Sequence, residues 1–368
     1  QRPSVPALNQ GLTDAGLRLF GQRRPRLIGR DALMDPLWGA LREVFARRAT
    51  RVIALRGPAG AGLSAVARAF AERAHEVGAA EVISVTATPE RSPSDGLPSA
   101  LRRALRLPHV AGATLSVTIR RRLPELPEAT REAIAEAILP SGQGPAASAG
   151  GPARAALAAL SGDRVALVTV EDAPYDPGLL TLLCDLVARE PSASAPLLFV
   201  LVVPDEALEL RPEAKAPLET LLTRPDSLTL RVDPLPPELS GALAQSLLTL
   251  HPSAAQLAAR QSQGSPRLMT QLIESWLQAD ALVPSPQGWA LRADAPSAPT
   301  DTLWAARAST LWESLDKTAR RGVALGATVG MHLELEDWQR ALRVLTGDPR
   351  ALATPLADAL IESRLARA

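Results

Sequence analysis

Cysteine is almost missing from this chain of 368 residues, with Cys184 alone in the apolar run from Leu179 to Val187. A single thiol excludes a disulfide framework and a cysteine-built zinc centre, and in that run it reads as a small buried hydrophobe. Lysine is nearly as scarce, at Lys215 and Lys317, so arginine carries most of the basic charge. Together with abundant Ala, Leu and Pro this is the bias of a GC-rich genome, and a bacterial source is expected by association. Aromatic residues make up only 3%, too few for platforms that stack bases. The formal charge of +1 gives no field that would draw nucleic acid or an anionic membrane. Arg102-Arg103, Arg120-Arg121-Arg122 and Arg320-Arg321 therefore read as solvated helix faces. No apolar run approaches the roughly 20 residues of a membrane span, and the start lacks a signal-peptide pattern, so a cytoplasmic protein is expected.

What is present is the balance of a globular protein, 46% hydrophobic and 21% charged, at a length that calls for two or three packed subdomains. The chain opens on Gln1 and stops at Ala368 just after a helical pattern. An excerpt of a longer polypeptide, with an effector domain elsewhere on it, is the expectation. Residues 1–25 are punctuated by Pro and Gly and read as a linker. Apolar spacing from Asp31 to Phe45 marks a helix, and Arg51 to Leu55 is a β-branched run that reads as a strand. Further strands are expected at Val82 to Val85, Arg164 to Val170, Leu197 to Val203 and Leu228 to Val232. Helices are expected near Ser99 to Leu107, Leu115 to Leu139 and Leu179 to Ala188, with a low-complexity loop from Pro140 to Pro152. Strands alternating with helices specify a doubly wound parallel sheet, whose ligands lie beyond the carboxyl ends of the strands. After Pro236 the pattern turns helical, broken by a hairpin at Gly288-Trp289.

The motif that carries chemistry is Gly57-Pro-Ala-Gly-Ala-Gly62-Leu63-Ser64, set between a strand and a helix. It fits G-x-x-x-x-G-K-[ST] at every fixed position except lysine. Gly57, Gly60 and Gly62 let main-chain N–H groups curl round phosphate oxygens, the helix start adds positive potential, and the Ser64 hydroxyl suits magnesium. Leu63 cannot supply the ammonium that stabilises a departing phosphoryl group. By analogy with other lost charge donors, that costs about 3–4 kcal/mol in the transition state. Hydrolysis is expected to be slow or absent.

Leu27-Ile-Gly29-Arg30-Asp31 followed by this loop resembles the opening of STAND NTPases, a signalling branch close to AAA+ ATPases. The resemblance continues through Arg164-Val-Ala-Leu-Val-Thr-Val-Glu171-Asp172, Tyr175-Asp176-Pro177 and Gly264-Ser265-Pro266. It implies that Gly29 and Arg30 seat adenine, that Pro266 opens a helix near the base, and that Glu171 with Ser64 holds magnesium. Asp172 would polarise water as the catalytic acid-base residue. Pro204 stands where many relatives carry an arginine that senses the terminal phosphate, a second cation lost.

The implied fold is an α/β P-loop NTPase with a parallel sheet sandwiched by helices, over residues 26–235. A helical lid over 236–283 and a truncated winged-helix domain over 284–368 follow it. The implied function is a regulatory switch that binds ATP or ADP with Mg and acts through protein partners or self-assembly, as an impaired or inactive ATPase. Nucleic acid and membrane are not expected as partners. The alternatives are a nucleotide-free pseudo-NTPase scaffold, a slow ATPase completed by oligomerisation, and a DNA-binding transcription regulator acting through the winged helix.

Overall fold

The computed structural model describes residues 20, 25–88, 96–107, 113–138, 150–188, 195–293, 308–309, 311–329, 334–346 and 353–362. Five parallel strands, β1 (Thr50–Gly57), β2 (Ala80–Thr86), β3 (Val165–Glu171), β4 (Leu197–Pro204) and β5 (Ser227–Arg231), form a sheet in the order β2-β3-β4-β1-β5. Side chains alternate across a strand, so consecutive apolar residues feed two separate cores. Ile53, Leu55, Val200 and Val202 face one cluster, built with helices α1 (Asp31–Arg47) and α2 (Leu63–Glu76). Val52, Ala54, Phe199 and Leu201 face the other, built with α3 (Gly96–Ala104), α4 (Ala113–Arg122), α5 (Glu128–Ile138), α6 (Gly150–Ser161) and α7 (Pro177–Ala188). Burial on both faces explains why β3 and β4 read as unbroken apolar runs. The sheet sandwiched by helices is as the sequence indicated.

Details differ where proline or short length decided the outcome. The single stretch expected over Leu115 to Leu139 is the pair α4 and α5, parted at Pro124 and Pro127, which disfavour helix at and before their positions. Of the low-complexity loop, residues 140–149 lie outside the described residues, while Gly150, Gly151 and Pro152 form the first turn of α6. Two short helices, α8 (Asp205–Leu210) and α9 (Lys215–Leu222), link β4 to β5, where the sequence pattern indicated nothing.

Beyond the sheet, α10 (Pro237–Leu247), α11 (Pro252–Ser262) and α12 (Pro266–Gln278) pack round the fully buried Trp276. The hairpin of β6 (Leu282–Ser285) and β7 (Gly288–Leu291) belongs to the same cluster. It is fastened by Trp289 N–H donating to Thr249 O at 2.8 Å and His251 N–H donating to Trp289 O at 2.8 Å. Phe20, from the segment expected to be a linker, is buried there too. Helices α13 (Lys317–Val329), α14 (Leu335–Thr346) and α15 (Ala353–Glu362) form a separate small core on Trp338, whose indole N–H donates to Gly322 O at 2.9 Å. Because the hairpin packs with α10–α12 rather than with these helices, the described residues do not establish a winged-helix domain. No helix among the described residues is long and apolar enough to cross a membrane.

Candidate functional site

The loop after β1 is held from below by the sheet. Val232 N–H donates to Arg56 O at 2.7 Å, and a Cβ on Gly57 would stand 2.2 Å from Val232 O, so only glycine fits. Gly60 and Gly62 have φ of +86° and +100°, the left-handed region that turns the chain back into α2. Leu63 opens that helix and is 4% exposed, packed in the cluster with Ile53, Leu55 and Val66. The side chain at the lysine position is thus part of the core. What Leu63 offers a ligand is its N–H at the helix start.

The loop serine and the end of β3 meet. The Ser64 hydroxyl donates to the Glu171 carboxylate. Burial pushes Glu171 above its ordinary value; the Ser64 bond opposes this, Asp172 adds to it, and Arg68, one turn after Ser64, opposes it. Burial also raises Asp172, opposed by the charge of Arg267. Asp172 sits at φ +52°, a left-handed conformation that Asp tolerates better than most residues. It begins the turn to Asp176, whose Oδ1 accepts from Leu179 N–H at 2.9 Å and caps α7. Ser64 and Glu171 supply hard oxygens side by side, which fits magnesium held mainly by nucleotide oxygens and water. Among the described residues no group of three or more His, Cys, Asp or Glu could hold a metal by itself.

The helical unit is fastened to this loop directly. Ser265 Oγ accepts from Leu268 N–H at 3.3 Å, capping α12, and donates to Gly60 O at 3.1 Å. Arg267 N–H donates to the same carbonyl at 3.3 Å. A Cβ on Gly60 would meet Ser265 Oγ at 2.8 Å and Arg267 Cβ at 3.2 Å, and one on Gly62 would meet Pro266 Cγ at 3.7 Å. Pro266 is therefore at the loop, and Arg267 arrives with it. Sequence reading passed over Arg267, although its place just after Gly264-Ser265-Pro266 was the available signal.

Gly29 and Arg30 lie at the same seam. Gly29, at φ +66°, faces Leu239 of α10, whose Cδ1 would be 2.3 Å from an added Cβ. Arg30 is buried, and its Nη2 donates to Ala61 O at 2.8 Å and to Asp233 O at 2.6 Å. The guanidinium ties the loop to the segment leading into α10; burial lowers its pKa, and Asp233 opposes this.

A second acidic pair borders the loop. Gly57 is in register with Pro204 of β4, which sets Asp205 and Glu206 beside the loop. Asp205 accepts from Arg56 at 3.2 Å and Arg231 at 2.7 Å. Glu206 Oε2 accepts from Ala59 N–H at 2.8 Å. The sequence drew attention to Pro204 for the cation it lacks, while the Asp205-Glu206 pair that follows carried no assigned role.

No protein-family model and no curated protein matches this chain. Among solved structures it is similar to the Orc1 protein of Aeropyrum pernix in complex with DNA, at 15% identity over 95% of this chain and 87% of that one, with a TM-score of 0.44. It is similar to Cdc6p from Pyrobaculum aerophilum at 12% identity over 93% and 87%, with a TM-score of 0.46. A RuvB variant from Thermotoga maritima follows at 14% identity over 91% and 88%, with a TM-score of 0.39. At such identities and scores no residue role is taken from them. The topology of the α/β unit itself is a parallel sheet of five strands ordered β2-β3-β4-β1-β5 with a glycine loop leading from β1 into a helix, the arrangement of a P-loop α/β fold.

Proposed function

We propose that the chain is a STAND-like regulatory module that binds ADP or ATP with magnesium, hydrolyses it little or not at all, and signals through the position of α10–α12. The observation that carries this reading is the pair of hydrogen bonds that Ser265 Oγ and Arg267 N–H, at the α12 start, donate to Gly60 O, which makes the helical unit part of the loop's own hydrogen bonding. Phosphate on the loop amides and the seating of α12 on the Gly60 carbonyl therefore act on the same short loop. A ligand that favours one seating over the other shifts the balance between them, and such a switch needs differential binding, not turnover.

In this reading Gly57, Gly60 and Gly62 shape the cradle, and the N–H groups towards Leu63 and Ser64 take phosphate oxygens. Ser64 and Glu171 hold the magnesium, while Gly29, Arg30 and Pro266 line the seam where the base would lie. Arg267 is the cation that approaches the loop in place of the missing lysine, and Asp172 is the acid that would orient water. Magnesium, when bound, would neutralise phosphate charge; these residues position and desolvate. Output through a protein partner or self-assembly remains part of the proposal. The expectation against nucleic acid is not carried further, since neither the site nor the comparisons support it.

A scaffold with an empty site is the second reading. It is favoured by the burial of Leu63 in the core and by the contact of Ser265 and Arg267 with Gly60. Calorimetry with Mg-ADP and Mg-ATP separates the two. Magnesium-dependent binding without turnover supports the switch, and no heat with either nucleotide at millimolar concentration leaves the scaffold.

A further inference from the structure

We propose that Glu206 is a built-in anion that occupies the outer limb of the phosphate loop and makes the site select a nucleoside diphosphate over a triphosphate. This deepens the nucleotide-binding reading and rests on it. Pro58 has no N–H, so Ala59 offers the first amide of the loop, and that amide already donates to Glu206 Oε2 at 2.8 Å. A carboxylate on a loop amide makes the same charge-assisted hydrogen bond that a phosphate oxygen would make.

The neighbouring carboxylate shows that this placement is specific. Asp205 is matched by two guanidinium groups, those of Arg56 and Arg231. Glu206, the next residue, turns instead to the loop backbone. The register of Gly57 with Pro204 fixes the distance between the two segments, so the contact follows from the pairing of β1 with β4.

The amides at the helix start, around Gly62 to Ser64, lie at the inner limb, next to the Ser64–Glu171 pair. Two phosphates resting there need not reach Ala59. A third extends along the loop towards it, where it must displace Glu206 from the amide and lie beside its negative charge. The carboxylate thereby penalises the longer chain while leaving the shorter one its seat.

The test is calorimetry on the 368-residue chain with Mg-ADP and Mg-ATP, comparing wild type, Glu206→Gln and, as a control on the same short helix, Glu209→Gln. Wild type is expected to prefer Mg-ADP. Glu206→Gln, which keeps the shape and removes the charge, is expected to raise the ATP-to-ADP affinity ratio on the order of tenfold. Glu209→Gln is expected to leave the ratio within about twofold, the scale of an exposed charge. A ratio unchanged in Glu206→Gln, or a wild type that prefers Mg-ATP, overturns this inference alone. Failure of every protein to bind either nucleotide overturns both it and the reading beneath it.

Discussion

Two neighbouring strands end in acidic pairs, and the two pairs are used in opposite ways. Glu171-Asp172, at the end of β3, is drawn into the structure, bonded to Ser64 and facing Arg267, with both carboxyls held above their ordinary values by burial. Asp205-Glu206, after β4, stays nearer the surface, one acid spent on two arginines and the other on a loop amide. The first pair is shaped to receive positive charge. The second is spent within the protein, on two arginines and one loop amide. Which role an acid has depends on the limb of the loop it faces, and strand order decides that.

Breaking the frame both pairs share should have the largest effect. Gly57→Ala places a Cβ 2.2 Å from the Val232 carbonyl, where backbone cannot yield cheaply. Denaturation should show a loss of about 3 kcal/mol or more, together with loss of any nucleotide binding. Unchanged stability would mean the strand ends are not locked as described.

Glu171→Gln sharpens the comparison from the buried side. Because burial raises the folded-state pKa of Glu171 above the reference 4.5, the folded protein holds that proton more tightly than the unfolded chain. The stability this group contributes is present below 4.5 and lost as pH rises through its raised value. In metal-free protein at pH 7 the variant should therefore melt higher, by about 2–4 °C. The gap should close as pH falls towards the reference value, and Mg-dependent nucleotide binding should weaken at the same time. A variant that melts lower at pH 7 would show that the carboxylate is stabilising, and the contrast between the pairs would fail.

The smallest effect is expected from Asp205→Asn. Its arginine partners are partly exposed, so the loss should be under about 1 kcal/mol and should shrink further at high salt.

The parallel sheet was legible because its strands are apolar on both faces and each is followed by a helical pattern. The loop was legible because its glycines and serine stand at fixed spacing. Ser64 and Glu171 could be paired only through the family resemblance, which sets an acid at the strand end against the loop hydroxyl. Arg267 and Glu206 were not legible, because their places depend on how α12 seats on Gly60 and on β4 lying beside β1. Arg30 was noticed, but its two bonds to main-chain carbonyls could not be read from a Gly-Arg pair. The hairpin at Gly288-Trp289 was found, yet its attachment to Thr249 and His251 is a tertiary fact that placed it with α10–α12.

The burial of Leu63 makes the missing lysine hard to restore. An ammonium following the path of that side chain would enter a cluster formed by Ile53, Leu55, Val66 and Phe70, a desolvation that unpaired charge does not tolerate. Leu63 adds an apolar contact to this cluster, and a lysine in its place demands that the neighbouring packing loosen as well. Placing an ammonium at this position is thus a problem of re-excavating the core beneath the loop, and a single change at position 63 addresses only its last step.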